Sequence, residues 1–156
     1  MYMPRCYQLI GIPGSGKTTW VKAQTWAVTC AVASTDAYVE AFAEHAGKTY
    51  SEVFDGVMRD AVSAMAETVL MAKSMGQDVI WDQTSTTVAS RRKKFNMLPN
   101  YEHIAVVFPT PASDELLKRL ASRPGKHIPQ PVIAQMISGW EDPTPAEGFK
   151  EIKWIL

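Results

Sequence analysis

The sequence predicts an α/β fold in three layers, a central parallel sheet with helices on both faces. Three observations carry that expectation. Short apolar runs alternate with longer segments of helical periodicity along the whole chain. The strand-like runs are continuously apolar rather than alternating, as expected of strands buried on both faces. A glycine-rich stretch, Gly11-Ile-Pro-Gly-Ser-Gly-Lys-Thr18, lies where the first such run passes into the first helical segment.

Taken in order, Cys6 to Ile10 reads as a buried strand ending at Gly11, and a helix is expected from about Gly16 through Val21 toward Ala27. Cys30 to Ser34 is a second short strand. Asp36 follows it, where its carboxylate is expected to cap the helix carrying Tyr38, Val39 and Phe42. Between Tyr50 and Met75, Val53, Val57, Ala61, Ala64, Thr68 and Ala72 recur at helical spacing, and Gly76 is a natural stop. Asp78 to Trp81 gives a third strand ending at Asp82, followed by a basic helix from about Thr87 to Met97 that Pro99-Asn100 breaks. Ile104 to Phe108 is a fourth strand. Ser113 is expected to cap a helix running through Leu116 and Leu120 to Arg123-Pro-Gly. Another helix, about Gln130 to Trp140, leads into a Pro-rich turn and a last apolar segment, Ile152 to Leu156. No repeat or linker divides the chain, so residues 1–156 are expected to form a single domain.

Composition narrows the function. Sixteen basic residues balance sixteen acidic ones, which speaks against broad, non-specific nucleic-acid binding but leaves room for a local basic groove. Cys6 and Cys30 are too few for a disulfide scaffold. No apolar run approaches a membrane span and the N-terminus lacks a signal-peptide layout, so the expected setting is soluble and cytoplasmic, with no membrane partner.

The chemistry concentrates at the ends of the strands. In Gly-x4-Gly-Lys-Thr the glycines let the backbone wrap round phosphate oxygens with its N–H groups turned inward. Gly11, Pro13, Gly14, Ser15, Gly16, Lys17, Thr18 and Thr19 are therefore expected to bind ATP, Lys17 at the terminal phosphates and the Thr18 hydroxyl on Mg²⁺. The predicted fold becomes that of a P-loop NTPase or kinase. Asp36 opens on the same rim of the sheet, either as a base receiving the proton of an attacking hydroxyl or as a plain helix cap. Asp82, after three apolar residues, is placed like a Walker B aspartate, to orient Mg²⁺ or bind groups on the substrate side. Arg119 and Arg123 share one helix face before Pro124-Gly125, a composition suited to a helical lid that brings an arginine to the transferring phosphoryl group. The run Arg91-Arg-Lys-Lys94 reads as a solvated face, or as a contact for a polynucleotide backbone.

Together these stretches resemble the kinase domain of the polynucleotide 5′-hydroxyl kinases, as in T-even bacteriophages and the animal DNA-repair enzyme. The resemblance rests on Gly11 to Trp20, Asp36-Ala-Tyr38, Val79-Ile-Trp-Asp-Gln-Thr84 and Lys118-Arg119-x3-Arg123-x2-Lys126-x-Ile-Pro129. Val132-Ile133, Met136, Trp140-Glu-Asp-Pro143 and Glu147-Gly-Phe149 complete it, so it covers nearly the whole chain in order. It implies Lys17 and Thr18 at the phosphates and metal, Asp36 as general base, and Asp82 in the substrate-side cluster. It also implies Arg123 as the lid arginine at the transition state, with Arg119 assisting. One position departs: the arginine that the family places three residues after the base, on the acceptor strand's phosphate, is here Val39. The leading expectation is transfer of the ATP γ-phosphate to a hydroxyl on DNA or RNA, foremost a 5′-hydroxyl end, in a phage-type or stand-alone enzyme. A hydroxymethyl group on a base within DNA, a small metabolite, and an ATP-binding switch without transfer are the alternatives.

Overall fold

The computed structural model describes residues 2–156. Among these residues five strands form one parallel sheet: β1 (Arg5–Ile10), β2 (Ala31–Ala33), β3 (Val79–Trp81), β4 (Glu102–Val107) and β5 (Phe149–Trp154), in the spatial order β2-β3-β1-β4-β5. The registers Cys6↔Val79, Cys6↔His103 and Ala31↔Val79 align the strands, so their C-terminal ends open on one rim. The last apolar segment of the sequence becomes the edge strand β5, paired with β4 across a register shift at His103/Ile104.

The alternation of β1 sets the layers. Cys6 and Ile10 point to the face covered by α3 (Tyr50–Met75) and α4 (Val88–Met97). There Cys6 meets Val69, Ala72 and Leu98, while Ile10 joins Val107 and Phe149. Leu9 points to the opposite face and packs with Ile80, Val106 and Phe108 under Trp20 and Val21 of α1 (Lys17–Ala23). Helix α2 (Thr35–Ala46) leans on α3 through Val39, Ala43, Val53, Val57 and Ala61. Leu116 of α5 (Ser113–Ala121) and Ile133 of α6 (Gln130–Ser138) enclose Ile12. The three-layer α/β fold is the one the apolar runs predict. Among the described residues no helix is long and apolar enough to cross a membrane. Cys6 and Cys30 are both free thiols.

Four local expectations are corrected. The first helix stops at Ala23, and Thr25–Thr29 form a 3₁₀ turn, which lays Trp26 against Tyr7 (ring centroids 4.7 Å) and Trp20 (5.9 Å). Ser34, not Asp36, caps α2, its hydroxyl accepting from the Ala37 N–H at 3.2 Å, so Asp36 sits inside the first turn. Ser113 is the first residue of α5, whose cap position is Ala112 with no side-chain bond. The basic run is not a uniformly solvated face. Arg91 is fully buried and Lys94 nearly so, with only Arg92 and Lys93 outside. The Arg91 guanidinium donates to both Glu147 oxygens (2.8 and 3.1 Å) and to the Ser85 carbonyl at 2.9 Å. An arginine committed in this way cannot also hold a polynucleotide backbone.

Candidate active site

The C-terminal rim carries a cleft of about 640 Å³. Its floor is the loop leaving β1. Gly16 there adopts φ +101, a conformation that L side chains rarely reach. The loop is held by Gly11 N–H donating to the Thr84 carbonyl (2.9 Å) and by Ser15 N–H donating to Ile12 (3.2 Å). Lys17 opens α1 and donates through Nζ to the Gly11 and Ile12 carbonyls at 2.8 and 3.0 Å. Burial pushes its pKa down to about 8 against the opposing pull of Asp82 and Asp36.

Asp82 is fixed by its position. Its N–H continues the sheet by donating to Ala33 (2.8 Å), and its carboxylate accepts from Thr18 Oγ1 at 3.2 Å. Burial raises the Asp82 pKa, with Lys17 and the Thr18 hydroxyl pulling the other way. Asp36 projects from the first turn of α2. Its Oδ1 accepts from Tyr50 Oη at 2.6 Å and its Oδ2 from Lys126 Nζ at 3.0 Å. Burial pushes this carboxyl up, but the Tyr50 hydrogen bond and the Lys126 charge outweigh it and hold the pKa below the usual value.

The cleft wall therefore brings together Pro13, Gly14, Lys17, Thr18, Asp36 and Asp82, with Arg123 facing them from the loop after α5. Other expected residues lie elsewhere. Arg119 braces the loop from outside, donating to the Gly14 carbonyl at 3.0 Å and pairing with Glu115 at 2.9 Å. Thr19 is exposed on α1, and Gly11 is buried beneath the loop. The cleft also takes side chains that the sequence motifs do not mark as site residues, among them Lys22, Glu40, Tyr50 and Lys126. Glu40, one helical turn beyond Asp36, is one that spacing alone could have placed.

The donor atoms present fit a nucleotide with its metal. The Thr18 and Asp82 oxygens form a hard pair of the kind that Mg²⁺ takes together with phosphate oxygens and water. Among the described residues no cluster of three or more His, Cys, Asp or Glu would hold a metal unaided.

Comparison with known proteins agrees with this architecture. Over 99% of this chain and 88% of the other, the fold matches a candidate kinase from Chloroflexus aurantiacus (TM-score 0.74, 20% identity). It also matches a chain of the Pnkp1/Rnl/Hen1 RNA repair complex (TM-score 0.66, 20% identity) over 89% of this chain but only 44% of that one. A gluconokinase from Sinorhizobium meliloti matches over 99% and 83% (TM-score 0.57, 17% identity). This P-loop kinase fold implies nucleotide binding. Residues 8–143, from the middle of β1 to the turn after α6, match the AAA domain family, and the chain belongs to that family.

Proposed function

We propose that residues 1–156 form a single kinase domain that transfers the γ-phosphate of ATP to a hydroxyl on a nucleic acid. The observation that carries this reading is the convergence of Lys17, Asp36, Asp82 and Arg123 on one cleft beside the glycine-rich loop. Lys17 and the loop N–H groups bind the phosphates. Thr18 and Asp82 would hold Mg²⁺, which would supply positive charge to offset that of the ATP phosphates. Asp36 orients the acceptor hydroxyl and receives its proton at a carboxylate oxygen. The new O–P bond forms as the bond from the γ-phosphorus to the bridging oxygen breaks, and that electron pair leaves with ADP. Arg123 balances the charge that spreads over the equatorial oxygens.

The 5′-hydroxyl end is the first acceptor to test, because the ordered motifs resemble 5′-hydroxyl kinases and a chain of an RNA repair complex shares the fold. A second reading, a hydroxymethyl group on a base within DNA, draws support from the acceptor side of the cleft. Val39, the position at which the 5′-hydroxyl kinases it resembles have a phosphate-binding arginine, is fully buried against α3. The cleft wall carries the exposed Glu40 and the half-buried Tyr50 ring instead. A ring beside a hydrogen-bond acceptor suits a base turned out of the stack better than a phosphodiester.

Incubation with γ-labelled ATP and a panel of acceptors tests both: 5′-hydroxyl DNA and RNA, hydroxymethylated duplex DNA, nucleosides and sugars. Label in a nucleic acid, lowered roughly 10²–10⁴-fold in Asp36→Asn, is the expected result. Label confined to a sugar or nucleoside would refute the nucleic-acid acceptor. Undiminished transfer by Asp36→Asn would refute the base.

A further inference from the structure

We propose that Tyr50 and Lys126 are positioning residues that hold the Asp36 carboxylate in a single orientation, with Lys126 delivered by a loop locked onto the start of α3. The inference rests on the kinase reading for its functional meaning, but its geometry stands apart from any acceptor. Each Asp36 oxygen has one donor of its own: Tyr50 Oη on Oδ1 at 2.6 Å and Lys126 Nζ on Oδ2 at 3.0 Å. The two donors are themselves stacked, with Nζ lying 4.4 Å from the Tyr50 ring centroid. Lys126 also reaches Glu40 at 3.5 Å. Its side chain is 10% exposed, whereas that of Asp36 is 53% exposed. Carboxylate oxygens have two lone pairs each, so one donor apiece fixes the group and leaves acceptor capacity for a substrate hydroxyl.

Nothing in local sequence places Lys126 there; the loop does. Ser51 N–H donates to the Gly125 carbonyl (3.0 Å), and His127 N–H donates to Ser51 Oγ (2.9 Å), so the residues on both sides of Lys126 are bonded to the first turn of α3. Gly125 has φ +70, and a Cβ on it would come within 2.7 Å of Thr49 Cβ. Thr49 is itself fixed as the cap of α3 in a capping box with Glu52. The segment after Arg123 is thus docked on the acceptor side of the cleft rather than hinged free of it. In a loose phosphoryl-transfer transition state a base contributes more by orienting the hydroxyl than by its strength, so fixing Asp36 is where such a clamp acts.

The charges facing Asp36 are Lys17 from α1, Glu40 from α2, Asp82 beyond β3, and Lys126 and Arg123 from the loop. Of these, Lys126 and Lys17 lower its pKa along with the Tyr50 hydroxyl, so removing either member of the clamp moves the titration of Asp36 upward.

The test uses the full chain with Tyr50→Phe, Lys126→Met, Lys126→Arg and Gly125→Ala. It reads the Asp36 carboxyl by ¹³C NMR titration, and kcat and KM with whichever acceptor is labelled. In folded Tyr50→Phe and Lys126→Met, the Asp36 titration and the acid limb of kcat/KM should both move to higher pH. Their kcat should fall about tenfold or more, while KM for ATP changes less than about twofold. Lys126→Arg should recover most of the loss, and Gly125→Ala, which displaces the lysine without deleting it, should behave like Lys126→Met. An unchanged Asp36 titration in both folded variants would overturn the clamp, whether or not an acceptor is found. So would an unchanged kcat in an active enzyme. A wild type that labels no acceptor, with the titration shifting as stated, would sink the kinase reading and leave the clamp standing.

Discussion

Replacing Glu147 by alanine should destabilise the protein by about 3–5 kcal/mol, because it strands the charge of Arg91 in the interior. The Arg91 side chain is 0% exposed and that of Glu147 is 9% exposed. The pair is bidentate, at 2.8 and 3.1 Å. After the substitution the guanidinium keeps only its bond to the Ser85 carbonyl. Against a typical total of about 5–15 kcal/mol, this is about a fifth of the stability or more. With a urea m-value of about 2 kcal/mol/M the midpoint should fall by roughly 1.5–2.5 M, followed by tryptophan fluorescence. Arg92→Ala, on the exposed side of the same helix, should stay within about 0.5 kcal/mol. Arg91→Met/Glu147→Met together should recover much of the loss, since no buried charge is left unpaired. A Glu147→Ala cost under about 1 kcal/mol, or an Arg92→Ala cost equal to it, would refute the buried pair and return the basic run to solvent.

Three further outcomes are expected. Lys17→Ala should keep the fold and abolish transfer, with nucleotide affinity read by calorimetry; full activity in the folded variant would end the P-loop kinase reading. Arg123→Ala should lower kcat far more than it raises KM for ATP, with little rescue by Arg123→Lys, whereas Arg119→Ala, which unties the Gly14 carbonyl, should show mainly in ATP affinity. Lys94, 5.4 Å from the Trp81 ring, has its pKa pushed down by burial to about 8, below its unfolded value. Between about pH 8 and 10.5 the unfolded chain therefore binds the extra proton and stability rises with pH. The advantage of Lys94→Met at neutral pH should accordingly shrink across that window by up to roughly 3 kcal/mol, as measured by urea unfolding at both ends.

The parts of the fold legible in the sequence are those whose determinants are contiguous. Residues 11–18 specify their own turn, the apolar runs specify strands, and the helical spacing from Val53 to Ala72 with Gly76 as its stop specifies α3. Asp36 and Asp82 could be placed on the rim because both follow short apolar strands of a parallel sheet. What stayed hidden depends on partners distant in sequence. Arg91 looks like a surface charge until Glu147, 56 residues on, is brought beneath it. Tyr50 and Lys126 look like a helix start and a loop lysine until they meet Asp36, 14 and 90 residues away. The early end of α1 has a similar cause: Trp26, in the 3₁₀ turn after it, packs on Tyr7 of β1 and on Trp20.

The rotation of α2 has the largest consequence for what this cleft accepts. Asp36 and Glu40 lie one turn apart and both face the cleft. Val39 and Ala43, also one turn apart, face α3 and pack on Val53, Val57 and Ala61. A cation at position 39 would have to enter that seam, where an unpaired charge is costly. The helix can therefore pack on α3 or present a cation from position 39, but not both, and this sequence takes the packing. The exposed position it leaves beside Asp36 is Glu40, an acceptor of hydrogen bonds that repels phosphate. Lys126 half-neutralises it from the opposite wall at 3.5 Å. Any nucleic acid held here must then meet α2 with groups that donate hydrogen bonds and keep its phosphates nearer to Arg123 and Lys22.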